Sequence, residues 1–179
     1  VGSFEILPGL PPYGDLPEPF SSTGHGSHRE GYVVRFNPEA AAPWVGNFQP
    51  GHTSFYDVLP HPSGREFMVV AGGQGYVVDP NDRSKKVFVG GWIEIALLLP
   101  QWNGLLLGDG LQFELITPAG LQWRSRRISW DGMQNLRLEG MLLFGEAYDP
   151  AGDCWMPFKL DLCTGEFTGG SYYGPEAMA

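Results

Sequence analysis

Cysteine, basic side chains and long apolar runs are all scarce in this sequence, and each scarcity excludes a class of protein. The two cysteines, Cys154 and Cys163, stand nine residues apart. On one extended strand an odd spacing turns such side chains to opposite faces, too far apart to bridge. Free thiols are expected, which argues against a disulfide-stapled scaffold and makes the cytoplasm the expected location. The longest apolar run, Ile95-Ala96-Leu97-Leu98-Leu99, stops at Pro100, far short of the roughly 20 residues a membrane-spanning helix needs. No basic stretch followed by an apolar one opens the sequence at Val1, and no membrane partner is expected. Lys and Arg number 11 against 20 Asp and Glu, a formal charge of −9. A surface of that sign repels phosphate backbones and steers basic partners toward it, so a basic protein is the expected partner and nucleic acid is not.

Helical periodicity is also missing. No stretch of a dozen residues carries apolar positions at helical spacing without a Gly or Pro interruption. What is present is punctuation. Asn37-Pro38, Asp79-Pro80, Thr117-Pro118 and Asp149-Pro150 each follow a strand-like run, and they stand 42, 38 and 32 residues apart. That spacing is about the length of a four-stranded β unit. Hairpins are expected where Phe67-Met68-Val69-Val70-Ala71 turns through Gly72-Gly73 into Tyr76-Val77-Val78, and where Leu105-Leu106-Leu107 turns through Gly108-Asp109-Gly110 into a run ending at Ile116. A third joins Phe158-Lys159-Leu160-Asp161-Leu162 to Glu166-Phe167-Thr168. Residues 91–99 alternate Ile93, Ile95, Leu97 and Leu99 with Trp92, Glu94, Ala96 and Leu98, which reads as a nearly buried strand.

The 26 glycines and 16 prolines sit between these runs, so they indicate many turns in a folded chain. The first thirty residues differ. Pro8-Gly9-Leu10-Pro11-Pro12 and Ser21-Ser22-Thr23-Gly24-His25-Gly26-Ser27-His28 read as an irregular arm. The expected organisation is therefore all-β: an N-terminal arm over 1–30 and a single β-repeat domain over 31–179, built of antiparallel hairpin repeats that are propeller-like or form a sandwich.

Arg127-Ile128-Ser129-Trp130-Asp131-Gly132, Gly145-Glu146-Ala147-Tyr148-Asp149-Pro150, the run from Trp155 to Leu162 with Thr164-Gly165-Glu166, and Gly169-Gly170-Ser171-Tyr172 resemble small uncharacterised bacterial β-repeat proteins. The resemblance covers about the C-terminal two thirds of the chain. It implies a bacterial origin and a β-repeat fold, and it carries no catalytic residues across. Pro62-Ser63-Gly64-Arg65 leading into a strand also looks like the start of a propeller blade.

Chemistry-bearing residues are thinly spread. His25 and His28 flank Gly26-Ser27 and with His52 or His61 would make a metal set, but a solvated Gly/Ser arm lacks the stiffness to fix ligand geometry. No metal or cofactor is expected. No Gly-x-Ser-x-Gly elbow occurs and neither cysteine has a histidine nearby in sequence, so no catalytic set is assigned. Glu114, Asp131, Glu146 and Asp161 would serve glycosidic chemistry as a facing pair, whereas simple alternation puts strand-borne acids such as Glu114 and Asp161 on the solvated face.

The candidate binding residues are Trp123, Arg124, Arg126, Trp130 and Asp131. On an extended strand Arg124, Arg126, Ile128 and Trp130 share one face, a cationic and aromatic stripe in an acidic protein. The competing arrangement pairs the arginines with nearby Glu or Asp and buries Trp123 and Trp130, as it would bury Trp44, Trp92, Trp102 and Trp155. The expected function is a non-enzymatic protein-binding module of bacterial type, such as an acidic inhibitor or immunity-like protein for a basic partner. The alternative is a protein that binds a small glycan or processes glycosides.

Overall fold

The computed structural model describes residues 2–24 and 29–173, and the expected all-β architecture is what forms. The chain divides into two compact units, residues 1–94 and 95–179, and each unit holds two four-stranded sheets. In the first unit β1 (Ser3–Leu7), β2 (Glu18–Phe20), β3 (Tyr32–Asn37) and β4 (Trp44–Phe48) lie in the order β1-β3-β4-β2. The segment read as an irregular arm thus supplies both edge strands. β2 runs parallel to β4, while β1 and β4 flank β3 antiparallel. Pro19 is tolerated because an edge strand has a free side that needs no donor. The second sheet is a meander of β5 (Asp57–Pro60), β6 (Phe67–Ala71), β7 (Gln74–Val78) and β8 (Val87–Gly90).

The second unit repeats the meander twice. β9 (Ile95–Leu99), β10 (Gly104–Gly108), β11 (Phe113–Thr117) and β12 (Gly120–Arg124) form one sheet, with a single 3₁₀ turn at Pro100–Trp102. β13 (Met133–Glu139), β14 (Leu142–Asp149), β15 (Cys154–Asp161) and β16 (Phe167–Gly169) form the other. All three expected hairpins are present, as β6–β7, β10–β11 and β15–β16.

The four Pro turns fall one to a sheet, after β3, β7, β11 and β14. At three of them the residue before proline closes the turn with its own side chain. Asp79 Oδ1 accepts the Asn81 N–H at 2.9 Å, Thr117 Oγ1 that of Ala119 at 3.3 Å, and Asp149 Oδ1 that of Ala151 at 3.0 Å. A short acceptor two residues upstream of the N–H, followed by a ring that fixes φ, ends the strand where the sequence places it. The β6–β7 turn uses different chemistry: Gly72 and Gly73 take φ of 52° and 83°, the two-residue geometry that matches strand twist.

Within each unit the two sheets share one core, which fits the sandwich-like alternative. The first core is aromatic. Phe20 stacks on Phe48 at 4.5 Å, Phe36 meets Trp44 at 4.7 Å, and Phe67 and Tyr76 join them from the second sheet. Trp44 Nε1 donates to Pro80 O at 2.8 Å and the Tyr76 hydroxyl reaches Gln49 O at 2.8 Å, so the polar ends of both rings are satisfied. The second core is largely aliphatic, with Leu99, Leu106, Leu115, Ile128, Leu143 and Leu160 around Phe113 and Phe158.

The strand expected over residues 91–99 is shorter and less buried than its alternation suggests. β9 begins at Ile95 and Leu98 is 41% exposed. Gly90 takes φ 133° and Trp92 φ 64°, which breaks the extended path. A left-handed conformation at a bulky residue costs about 1–2 kcal/mol. Ile93 returns to the interior of the first unit, buried and donating its N–H to Gly73 O at 2.9 Å. Burial of the tryptophans is correspondingly uneven: Trp44 is buried and Trp102 packs against the second core, but Trp92 is 63% and Trp155 41% exposed.

Phe20 tests the docking of β2. It is 1% exposed and touches Trp44, Phe48 and Tyr76, so Phe20→Ala is expected to cost about 3–5 kcal/mol, read as a lowered denaturant midpoint. A change within about 0.5 kcal/mol, the surface range, would show that β2 does not dock as described.

Candidate functional site

The stripe expected along residues 124–130 does not form, because β12 ends at Arg124 and the chain that follows wedges Ile128 into the core. Ser125 Oγ accepts the Phe113 N–H at 3.0 Å, Ile128 N–H donates to Leu111 O at 2.8 Å, and Ile128 O accepts from Ser171 and Tyr172. Trp123 covers Gly165 and donates Nε1–H to Leu162 O at 3.0 Å. Arg124 pairs with Glu114, its cross-strand neighbour, at 2.5 Å, and Arg126 lies 3.6 Å from Glu166 and over the Phe167 ring. Arg124 and Arg126 are thus paired with neighbours, as in the competing arrangement, while Trp123 and Trp130 are only partly buried.

Arg127 joins the two aromatics that end the segment. Its guanidinium lies 5.2 Å from the Trp130 ring and 4.7 Å from that of Tyr172, and it donates to Ser129 O and Trp130 O at 2.8 Å each. Two buried serines complete the support. Ser129 Oγ donates to Gly132 O, while Ser171 Oγ accepts from Trp130 N–H and donates to Tyr148 O at 2.6 Å. Of the expected binding residues, Asp131 is the one left exposed with no ion pair among the described residues, and the serine network holds it beside the end of β14.

There it meets residues the sequence did not single out. Tyr148 and Trp155 stand directly opposite each other on β14 and β15, with ring centroids 5.1 Å apart. The Tyr148 hydroxyl donates to Asp153 Oδ1 at 2.6 Å. That hydrogen bond raises the phenol above its ordinary pKa, helped by burial and by the charges of Asp153, Asp131 and Asp149. Three carboxylates therefore act on one phenol whose partner ring, Trp155, is open to solvent. The sequence signal was a hairpin turn with an acid inside each aromatic, Tyr148-Asp149 and Asp153-Cys154-Trp155, which strand pairing brings face to face.

The other expected sites disperse. His25 and His28 lie outside the described residues, His52 packs against Trp92, and His61 lies beside Glu66. Among the described residues no three His, Cys, Asp or Glu side chains gather as metal ligands. Glu146 accepts from Gln134 and Asn135, and Asp161 caps the Cys163 N–H. Cys154 and Cys163 are free and exposed.

Glu66 is an acid that alternation did not reveal, 6% exposed at the end of the β5–β6 turn. Lys85 Nζ donates to its Oε1 at 2.5 Å and His61 Nδ1 lies 3.5 Å from its Oε2. The same Nδ1 accepts the Ser63 N–H at 3.3 Å, which requires a neutral ring with its proton on Nε2, so the contact packs a neutral imidazole against the Glu66 carboxylate. Burial lowers the His61 pKa despite the attraction of Glu66. Burial would raise the Glu66 carboxyl, but hydrogen bonds from Lys85 and Ser63, with the Lys85 charge, bring it below its ordinary value.

Both shifts have the same sign for stability. Glu66 contributes fully above the ordinary carboxylate pKa and loses its contribution as pH falls through the lower folded value. His61 resists protonation when folded, so stability declines as pH drops below 6.5 toward its folded pKa. The melting temperature is expected to fall from about pH 7 to about pH 4, and Glu66→Gln to lower it at neutral pH by an amount that vanishes in acid. Parallel curves for the two proteins would exclude Glu66 as a source of the dependence. No protein-family model matches the chain, and no curated protein matches it either.

Proposed function

We propose that the protein is a non-enzymatic binding module that receives a basic segment of another protein on the surface formed by Asp131, Tyr148, Asp149, Asp153 and Trp155. The observation that carries this reading is the Tyr148–Trp155 ring pair, 5.1 Å apart, with Asp153 hydrogen-bonded to the Tyr148 hydroxyl at 2.6 Å and the charges of Asp131 and Asp149 acting on the same phenol. A lysine or arginine placed over the open indole gains a cation–π contact there, and the flanking acids supply charge complementarity. The net charge of −9 steers such a partner from a distance. An inhibitor or immunity-like role toward a basic bacterial protein is the specific form of this reading, and two exposed free thiols fit a reducing cytoplasm.

Support for the patch as a rigid anchor comes from its mounting. Tyr148 N–H donates to Gly132 O at 3.1 Å and its carbonyl accepts from Ser171, so the phenol and Asp131 are fixed to the same backbone. Little ordering is then needed on binding, and the contact energy is not spent on immobilising loops.

The test is capture of basic proteins by the immobilised chain at low and high salt, compared with Trp155→Ala and with the Asp149→Asn/Asp153→Asn double variant. Retention should weaken as salt rises. Trp155→Ala should weaken it about thirtyfold, the loss of one aromatic hot spot, and the double variant should flatten the salt dependence. Binding that ignores salt, or that survives Trp155→Ala unchanged, would overturn the proposal.

A further inference from the structure

We infer that a shallow concavity of the first unit, built around Trp92 and His52, is a binding site for the ring of a neutral saccharide. It has a volume of about 280 Å³ and is lined by Ser22, His52, Gln74, Phe88 and Trp92, with Gly51 and Gly91 leaving backbone at its wall. That volume is close to the lower limit of ligand pockets, about 300 Å³, and suits one ring. The site is separate from the acidic patch of the second unit and does not rest on it.

The platform is Trp92. Its indole is 63% exposed on a residue held at φ 64°, a conformation bulky side chains rarely adopt. Burial of the ring does not compensate for that strain. The backbone is instead held from both sides of the turn: Ile93 N–H donates to Gly73 O at 2.9 Å, Ile93 O accepts from Thr53 Oγ1 at 3.2 Å, and the His52 ring packs 5.7 Å from the indole. Strain maintained by its surroundings and spent on presenting an aromatic face to solvent points to a ligand for that face.

The lining selects the class of ligand. In a chain of charge −9 the concavity is lined, among the described residues, by no carboxylate, lysine or arginine, so these offer nothing to compensate an ion. It does offer hydrogen bonds. Tyr76, whose phenol burial has pushed up to about 12, stays protonated, and its one proton is shared between Gln74 Oε1 at 2.6 Å and Gln49 O at 2.8 Å. The carboxamide is thereby oriented, and its Nε2 has no protein partner among the described residues. An amide donor, the Ser22 hydroxyl and an imidazole beside exposed indole and phenyl rings match a ring with hydroxyls at its rim and C–H bonds on its face.

Saturation-transfer NMR on the full chain with methyl glycosides of common neutral hexoses and their β-linked disaccharides tests this, with choline as the cationic control. At least one glycoside should bind, with an affinity unaffected by salt. Trp92→Gly should weaken it about tenfold, as loss of a stacking ring does, while melting no lower than the parent because glycine accepts φ 64° without strain. Gly91→Leu is the second variant. A Cβ at Gly91 meets no atom within 4 Å, so this side chain should block the site without disturbing the fold. Absence of binding by every glycoside, equal binding by both variants, or selective binding of choline would overturn the inference.

Discussion

A four-stranded sheet with one apolar face is not stable alone in water, because the face it leaves exposed outweighs what its ladder contributes. The chain meets that constraint twice, by closing two short sheets on one core within each unit. Most of what is specific to this protein follows from how the polar ends are handled once the faces meet. In the first unit the core rings carry their polar atoms to the edge, where Trp44 and Tyr76 find backbone carbonyls. Asn47, 7% exposed, does the same for the incoming chain: its Oδ1 accepts the Gly31 N–H at 2.8 Å and its Nδ2 donates to Arg29 O. In the second unit the irregular link between the sheets is made possible by Ser125, Ser129 and Ser171, whose hydroxyls bond Phe113 N–H, Gly132 O and Trp130 N–H where the regular ladder is interrupted.

Local chemistry made the middle of each sheet legible. The Pro turns could be read because the acceptor and the ring that close them are neighbours in sequence, and the hairpins because Gly72-Gly73 and Thr164-Gly165 report φ directly. The first sheet was harder. β2 has three residues, includes Pro19 and pairs parallel with a strand more than twenty residues away, so neither length, propensity nor a turn signal announces it. Its identity as a strand is decided by Phe20 finding the aromatic core, a tertiary event. Residues 91–99 failed in the opposite sense: the alternation is real, but Gly90 just before it and Trp92 inside it take positive φ, and periodicity is blind to φ.

The site was less legible for a related reason. Arg124 and Arg126 look like a free cationic stripe only while their partners are distant in sequence. Strand pairing puts Glu114 opposite Arg124, and the turn before β16 brings Glu166 to Arg126. The same pairing assembles what sequence proximity hid, since Tyr148 and Trp155 are separated by a turn along the chain and adjacent across the ladder. Glu66 escaped notice because a carboxylate beside a strand is ordinarily solvated, and its burial depends on Lys85 arriving from the far side of β7. In each case the sequence carried the residue and the fold supplied its neighbour.

Positive φ distinguishes the two surfaces. Among the described non-glycine residues it occurs at Trp92, Asn103, Asn135 and Asp153. Asn and Asp enter the left-handed region readily, because their short polar side chains bond to nearby backbone, so Asp153 in the β14–β15 turn needs no further explanation. Trp92 has no such excuse. A glycine there would complete the run Gly90-Gly91 at lower conformational strain, and the indole adds little to the core. The difference in cost separates a turn residue that happens to carry charge, as in the acidic patch, from a ring kept in place against the preference of its own backbone.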